Sequence, residues 1–145
     1  MIKVLFVFVF MFCLSATFAQ SSDLTVQIEN IEVLKGKIMV AVFDNEDNFK
    51  TKENPNFSDS LSADNSTIET FFNSIPQGIY AIAIYHDENY DGKLNAAKLG
   101  IPTEGVGFSG YITTILKKPK FEDCAFEINR DTTISISMIY KKKKD

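Results

Sequence analysis

The residues best equipped for chemistry lie together between His86 and Glu104. Asp87-Glu88-Asn89-Tyr90-Asp91-Gly92-Lys93-Leu94-Asn95 places Asp87, Asn89 and Asp91 at alternate positions ahead of a glycine. That is how a calcium loop opens: side-chain oxygens at its first, third and fifth positions, and a sharp bend at the sixth, Gly92. A backbone carbonyl follows at Lys93, and Asn95 acts two residues on, directly or through water. Calcium is a hard cation that takes oxygen ligands, and alternating Asx residues on a tight turn converge their oxygens on one point. The twelfth position is Lys98, where a bidentate glutamate is expected. Glu104, arriving from the following loop, is the candidate for the missing carboxylate. The predicted metal set is therefore Asp87, Asn89, Asp91, Lys93, Asn95 and Glu104, with Ca2+ as the cofactor. With so few carboxylates its affinity falls on the order of 10⁻⁴–10⁻³ M. The loop leaves a strand, so it is no EF-hand. A competing reading needs no metal: Asp and Asn side chains accept from their own backbone in Asx-turns, and Gly92 takes the left-handed conformation.

A second chemistry centres on His86, the only histidine. A metal-dependent hydrolase would use it with Asp87, Glu88 and Glu104, and would require those side chains to converge in a pocket. No second histidine or paired cysteine offers a conventional zinc set, so the alternative is a structural hydrogen-bonding histidine at a strand end. Gly105-Val106-Gly107-Phe108-Ser109-Gly110 spells the dinucleotide fingerprint G-x-G-x-x-G. That motif must open a helix, whereas strand-like Tyr111-Ile112-Thr113-Thr114-Ile115 follows. Ser109 is no nucleophile elbow either, because Tyr111 stands where the second glycine of G-x-S-x-G belongs. These glycines instead suit a close-packed loop around Phe108. No catalytic residue is assigned.

The elements that must position these residues read as strands. Leu24, Val26, Ile28 and Ile31 nearly alternate with polar residues, and Leu34-Lys35-Gly36-Lys37 predicts a turn making a hairpin with Ile38 to Phe43. Thr67 to Phe72 is a third strand. Ile75-Pro76-Gln77-Gly78 is a turn in which Gly78 can take a positive φ. Ile79 to Tyr85 is nearly all apolar and is predicted to be central and covered on both faces. Tyr111 to Leu116 and Cys124 to Ile128 are shorter candidates. Thr132 to Tyr140 closes the chain with Ile134, Ile136, Met138 and Tyr140 inward. No stretch shows a helical period, although Asn95 to Leu99 allows one turn capped by Asn95 and stopped by Gly100. The fold class is all-β: an antiparallel β-sandwich of about seven strands, immunoglobulin-like or transthyretin-like. A long polar loop is expected over 44–66, with Phe49 and Phe57 pinning it to the sandwich.

Residues 1–19 read as a signal peptide, with Lys3 as the positive n-region, an apolar run to Leu14 and small residues up to Ala19. That run is shorter than the roughly 20 residues of a spanning helix. Cleavage leaves one β-sandwich domain over 20–140, a basic tail at 141–145 and no transmembrane segment. Losing Lys3 leaves 14 basic against 19 acidic residues, net −5. Nucleic acid is disfavoured as a partner, because phosphate binding needs a basic surplus. Cys124 is then the one remaining cysteine, and its apolar neighbours predict burial. The expected localisation is secreted, periplasmic or cell-envelope, and the expected partner a protein or small-molecule ligand.

The pieces IPQGIYAIAIYHDEN, DGKLN, LGIPTEGVGFS and KPKFEDCAFEI, with the opening LTVQIENI and the strand GKIMVAVFD, resemble a bacterial family, domain of unknown function 2141. The resemblance covers nearly all of 20–145 and implies an exported, mostly β-domain of Gram-negative bacteria with no established activity. It departs at Cys124, where a small residue such as alanine is ordinary. The turn into the strand at Gly78-Ile79-Tyr80 is also similar to transthyretin-like and carboxypeptidase-regulatory-like sandwiches, a likeness of fold alone. The function expected is an exported β-sandwich module that binds a partner or shapes the envelope at its 86–110 end, with the hydrolase as the alternative.

Overall fold

The computed structural model describes residues 20–110, 114 and 116–141. The signal-peptide reading of 1–19, most of the strand proposed at Tyr111–Leu116, and the tail beyond Lys141 lie outside the described residues. The element order is β1 (Ser21–Glu29), β2 (Lys37–Phe43), α1 (Glu46–Thr51), β3 (Phe57–Ser62), β4 (Ile68–Pro76) and β5 (Gly78–Asp87). A 3-10 turn (Lys98–Gly100), β6 (Val106–Phe108), α2 (Phe121–Cys124), β7 (Phe126–Ile128) and β8 (Thr132–Ser137) follow. Two sheets result. The first is ordered β4-β1-β8; the second is β3-β2-β5-β6, with β7 pairing the start of β5.

Period-two patterning accounts for how the sheets face each other. Along β1, Leu24, Val26 and Ile28 are buried while their neighbours turn outward. They meet Ile38, Val40 and Val42 from β2, Ile82 and Ile84 from β5, and Ile136 and Met138 beyond. Side chains two apart point to one face, so each strand contributes one apolar row to a shared interior. Each fully buried aliphatic side chain is worth about 1.5–3 kcal/mol. β5 is buried on its other face as well, where Ala81 and Ala83 join Phe43, Phe49 and Cys124 in a second, smaller cluster. The expectation that this strand is central and doubly covered therefore holds, as does the burial of Cys124.

Several expectations are corrected. The Leu34–Lys37 connection does not make a hairpin. β1 pairs antiparallel with β4 and parallel with β8, while β2 pairs with β3 and β5. The connection crosses from one sheet to the other, and the first sheet is mixed. Residues 44–66 are not one long loop, because they fold as α1 and β3. Asn45 caps α1 by accepting from Asn48 N–H at 2.9 Å, and Glu46 and Asp47 lie at its positive end. Lys52 ends it in the left-handed conformation, φ 61°. Phe49 pins this helix to the second sheet, packing edge-on against Phe43 at 5.7 Å. Phe57 packs against Phe72 instead, between the sheets. Asn95 caps no helical turn: the 3-10 turn begins after Ala97 and has no side-chain cap. Gly78 does not take a positive φ. The glycine-rich 105–110 stretch contains a strand, β6, paired with β5.

Candidate functional site

β5 ends at His86 and Asp87 and hands the chain to the Asx-rich loop. Asp87 is 3% exposed. Its Oδ1 accepts from Asp91 N–H at 3.1 Å and its Oδ2 from Gly92 N–H at 2.9 Å. The carboxylate at the head of the loop thereby folds the next five residues around itself. Asn89 Oδ1 also accepts from Asp91 N–H, and Asp91 Oδ1 accepts from Lys93 N–H. The tight path needs left-handed backbone at Tyr90 (φ 63°) and Gly92 (φ 76°).

The side chains at the tip converge. Asn89 Nδ2 donates to Asp91 Oδ2 at 3.1 Å and to Asn95 Oδ1 at 2.8 Å. Asn95 Nδ2 donates to the same Asp91 oxygen at 2.8 Å. The Asn95 amide, followed by Asn89 and the Lys93 N–H, holds the Asp91 carboxyl below the usual carboxylate range. Asn89, Asp91 and Asn95 thus form one cluster. Lys93 contributes its backbone to it, while its side chain is exposed.

Glu104 reaches the loop from the far side, as proposed from the sequence. It is 5% exposed, and its two oxygens accept from Glu88 N–H at 3.0 Å and Asn95 N–H at 2.8 Å. One carboxylate therefore clamps the loop's entry to its exit. Asn95 O accepts from Thr103 N–H at 2.9 Å and closes the base. Tyr85 stands beside this group; burial, then the Asp87, Asp91 and Glu104 carboxylates, raise its phenol. Among the described residues no three His, Cys, Asp or Glu side chains gather at metal-ligating spacing. A cation here would have to draw on Asn oxygens and backbone carbonyls. Those are hard oxygen donors, which suits calcium and not zinc.

His86 belongs to a different environment. It is fully buried, with Nε2 2.7 Å from Lys35 O and Nδ1 2.8 Å from Tyr140 Oη. A carbonyl only accepts, so Nε2 carries the proton and Nδ1 accepts from the Tyr140 hydroxyl. Burial pushes Tyr140 up to about 12, which keeps that hydroxyl protonated as a donor. Both ring nitrogens are occupied, and the ring tethers the end of β5 to the β1–β2 connection and to the segment after β8. The hydrolase grouping of His86 with Asp87, Glu88 and Glu104 is not brought together: β5 alternation puts His86 inward and Asp87 on the opposite face.

One feature escaped the sequence reading. The outer face of the second sheet carries a groove of about 430 Å³, lined among others by Met39, Ala41, Ala83, Tyr85, Leu94 and Phe108. Its signal was present in the alanines that alternate with β-branched residues in Ile38–Phe43 and Ile79–Tyr85. A small outward side chain leaves space only if nothing else covers it, and that depends on neighbours remote in sequence.

A model of a family described as an uncharacterised protein conserved in bacteria matches residues 26–136 of the chain. No curated protein and no solved structure matches it.

Proposed function

The chain belongs to the bacterial family domain of unknown function 2141, and we propose that it is an exported, non-enzymatic β-sandwich module that binds an apolar ligand on the outer face of its second sheet. The observation that carries this reading is the groove, whose volume of about 430 Å³ lies within the range of small-molecule sites. Tyr85, Leu94, Val106 and Phe108, from the end of β5, the Asx-rich loop and β6, form one side of it. Loop and groove are therefore one structural unit, and whatever stiffens the loop also holds that wall in place. Export to the cell envelope rests on the composition of residues 1–19. Among the described residues no helix is long and apolar enough to cross a membrane.

The test uses a neutral apolar fluorophore, N-phenylnaphthylamine, with the native protein. Its emission is expected to rise on binding, and Ala41→Leu, which fills the floor of the groove, is expected to abolish the rise while leaving the thermal melt intact. No rise, or an equal rise with Ala41→Leu, rejects the groove as the site.

The same unit includes calcium in the 87–95 loop. Its support is the point where Asp91 Oδ2 and Asn95 Oδ1 both meet Asn89 Nδ2. Rotating that amide would exchange its nitrogen for its oxygen and leave three side-chain oxygens aimed at one place. At 10 mM calcium and a dissociation constant on the order of 10⁻³ M, linkage stabilises the fold by about 1.4 kcal/mol, raising Tm by about 3–5 °C. Melts in EDTA and in calcium measure this directly. An unchanged Tm, or the same rise in Asp91→Ala, refutes calcium binding at the loop.

A further inference from the structure

The floor of the groove is set by strand register. Ala41 of β2 lies opposite Ala83 of β5, Ser58 of β3 is across from Ala41, and Phe108 of β6 is across from Ala83. Two adjacent alanines in the middle of this row make a trough between larger neighbours. Met39 and Tyr85, themselves paired, bound it on one side and Phe43 on the other.

The trough also has a polar end. Lys52, the left-handed residue that ends α1, lines the groove, and its Nζ lies 3.4 Å from the Phe49 ring centroid and 5.7 Å from that of Phe108. The residue as a whole is exposed, but its ammonium lies over the rings and donates to Phe49 O. An ammonium has three protons to donate, and this contact uses one. Among the described residues the one ion pair joins Lys120 and Glu122, so no carboxylate lies within 4 Å of the Lys52 ammonium; Asp59, the acidic residue of the groove lining, instead accepts from the Thr70 hydroxyl. Burial draws its pKa down to about 8, as expected for a cation partly desolvated without an anion.

Resting on the reading of the groove as a ligand site, we propose that its occupant is a single unbranched acyl chain ending in a carboxylate, a free fatty acid, with the chain along the alanine trough and the carboxylate on Lys52. The face of a sheet offers no free backbone N–H or C=O, because those groups point sideways into the ladder. A peptide laid there would bury its own amides without partners. A hydrocarbon chain has none to satisfy. A neutral end would leave the ammonium without a counter-charge, and a cationic end would be repelled by it.

The experiment is displacement of N-phenylnaphthylamine from the purified protein by decanoate, decanol and a monoalkyl phosphate of the same chain length, all below their critical micelle concentrations. Decanoate is expected to bind at least about tenfold more tightly than decanol, the value of a charge-assisted contact. Lengthening the acid from octanoate to dodecanoate should tighten binding about threefold to fourfold per methylene. Lys52→Gln should bring decanoate down to the level of decanol without weakening decanol, and Lys52→Arg should keep the preference for the acid. Equal binding of decanoate and decanol to the native protein overturns the role of Lys52 while the groove survives as an apolar site. A preference for the alkyl phosphate overturns the carboxylate assignment in favour of a lipid phosphate. If the fluorophore binds and no chain displaces it, the acyl occupant is rejected; if the fluorophore itself fails to bind, the groove reading falls with it.

Discussion

Gly36→Ala is expected to lower the stability of this domain by about 2–5 kcal/mol, a large part of the roughly 5–15 kcal/mol that holds a domain folded. Two causes add. Gly36 has φ +83°, a conformation that costs an L-residue about 1–2 kcal/mol. A Cβ there would also lie 2.2 Å from Asp87 O and 2.8 Å from Glu88 Cα. Both are backbone atoms at the end of β5, in register with β2 through the Lys37–Asp87 pair. They cannot yield by a rotamer change, so overpacking adds about 1–3 kcal/mol. The urea midpoint should fall by about 2 M at a slope of about 2 kcal/mol/M. Gly92→Ala supplies the control. Gly92 has φ +76° but nothing within 4 Å of its would-be Cβ, so it should lose only about 1–2 kcal/mol. Equal losses at the two positions would remove the steric part of the argument. The consequence reaches the site, because Gly36 N–H donates to Tyr90 Oη at 3.1 Å. The β1–β2 connection thus lies directly against the Asx-rich loop, and Gly36→Ala should speed amide exchange over 87–95.

His86→Leu is expected to cost about 2–5 kcal/mol although leucine nearly matches the ring in volume. The loss arises because Lys35 O is left without its donor, at about 1–3 kcal/mol, and the half-buried Tyr140 hydroxyl, which keeps the Glu32 N–H, loses the acceptor for its own proton, at about 1–2 kcal/mol. The same pairing makes the double-mutant cycle informative. Tyr140→Phe alone strands His86 Nδ1, but in the His86→Leu background it removes a group already stranded. The combined loss should fall short of the sum by about 1 kcal/mol or more. Chemical denaturation of the four proteins supplies the numbers. A histidine kept for catalysis would behave in the opposite way, with stability hardly altered by its replacement; an undiminished urea midpoint for His86→Leu would therefore overturn the structural role assigned to it.

Much of the architecture was written in local patterning. Leu24, Val26 and Ile28 could bury one face only as a strand, and the apolar run Ile79–Tyr85 could be satisfied only with cover on both sides. Phe49 in a polar stretch announced a residue that must reach the core. Asp87, Asn89, Asp91 and Gly92 announced their turn, because an Asx side chain and its own backbone settle that geometry within a few residues. Glu104 was expected to arrive from the following loop as the missing carboxylate ligand; it does reach the Asx-rich loop, where both its oxygens accept from backbone N–H groups while Asn89, Asp91 and Asn95 cluster without it.

Which distant segments meet is settled only in the folded chain. Alternation says which face of β1 is buried and is silent about its neighbours, so the parallel pairing with β8 and the absence of a β1–β2 hairpin could not be read from it. α1 is six residues long, too short to display a 3.6-residue period, and its stability comes from one buried ring and its caps. The fate of His86 depended on Lys35 and Tyr140, each more than fifty residues away. The groove depended on register, which set Ala41 beside Ala83 and Phe108 across from Ala83, and on the packing of α1 that brought Lys52 to its rim. Local side-chain chemistry acts over a few residues and is legible in a sequence; cavities and buried partners are made by long-range packing, and that exists only once the chain has folded.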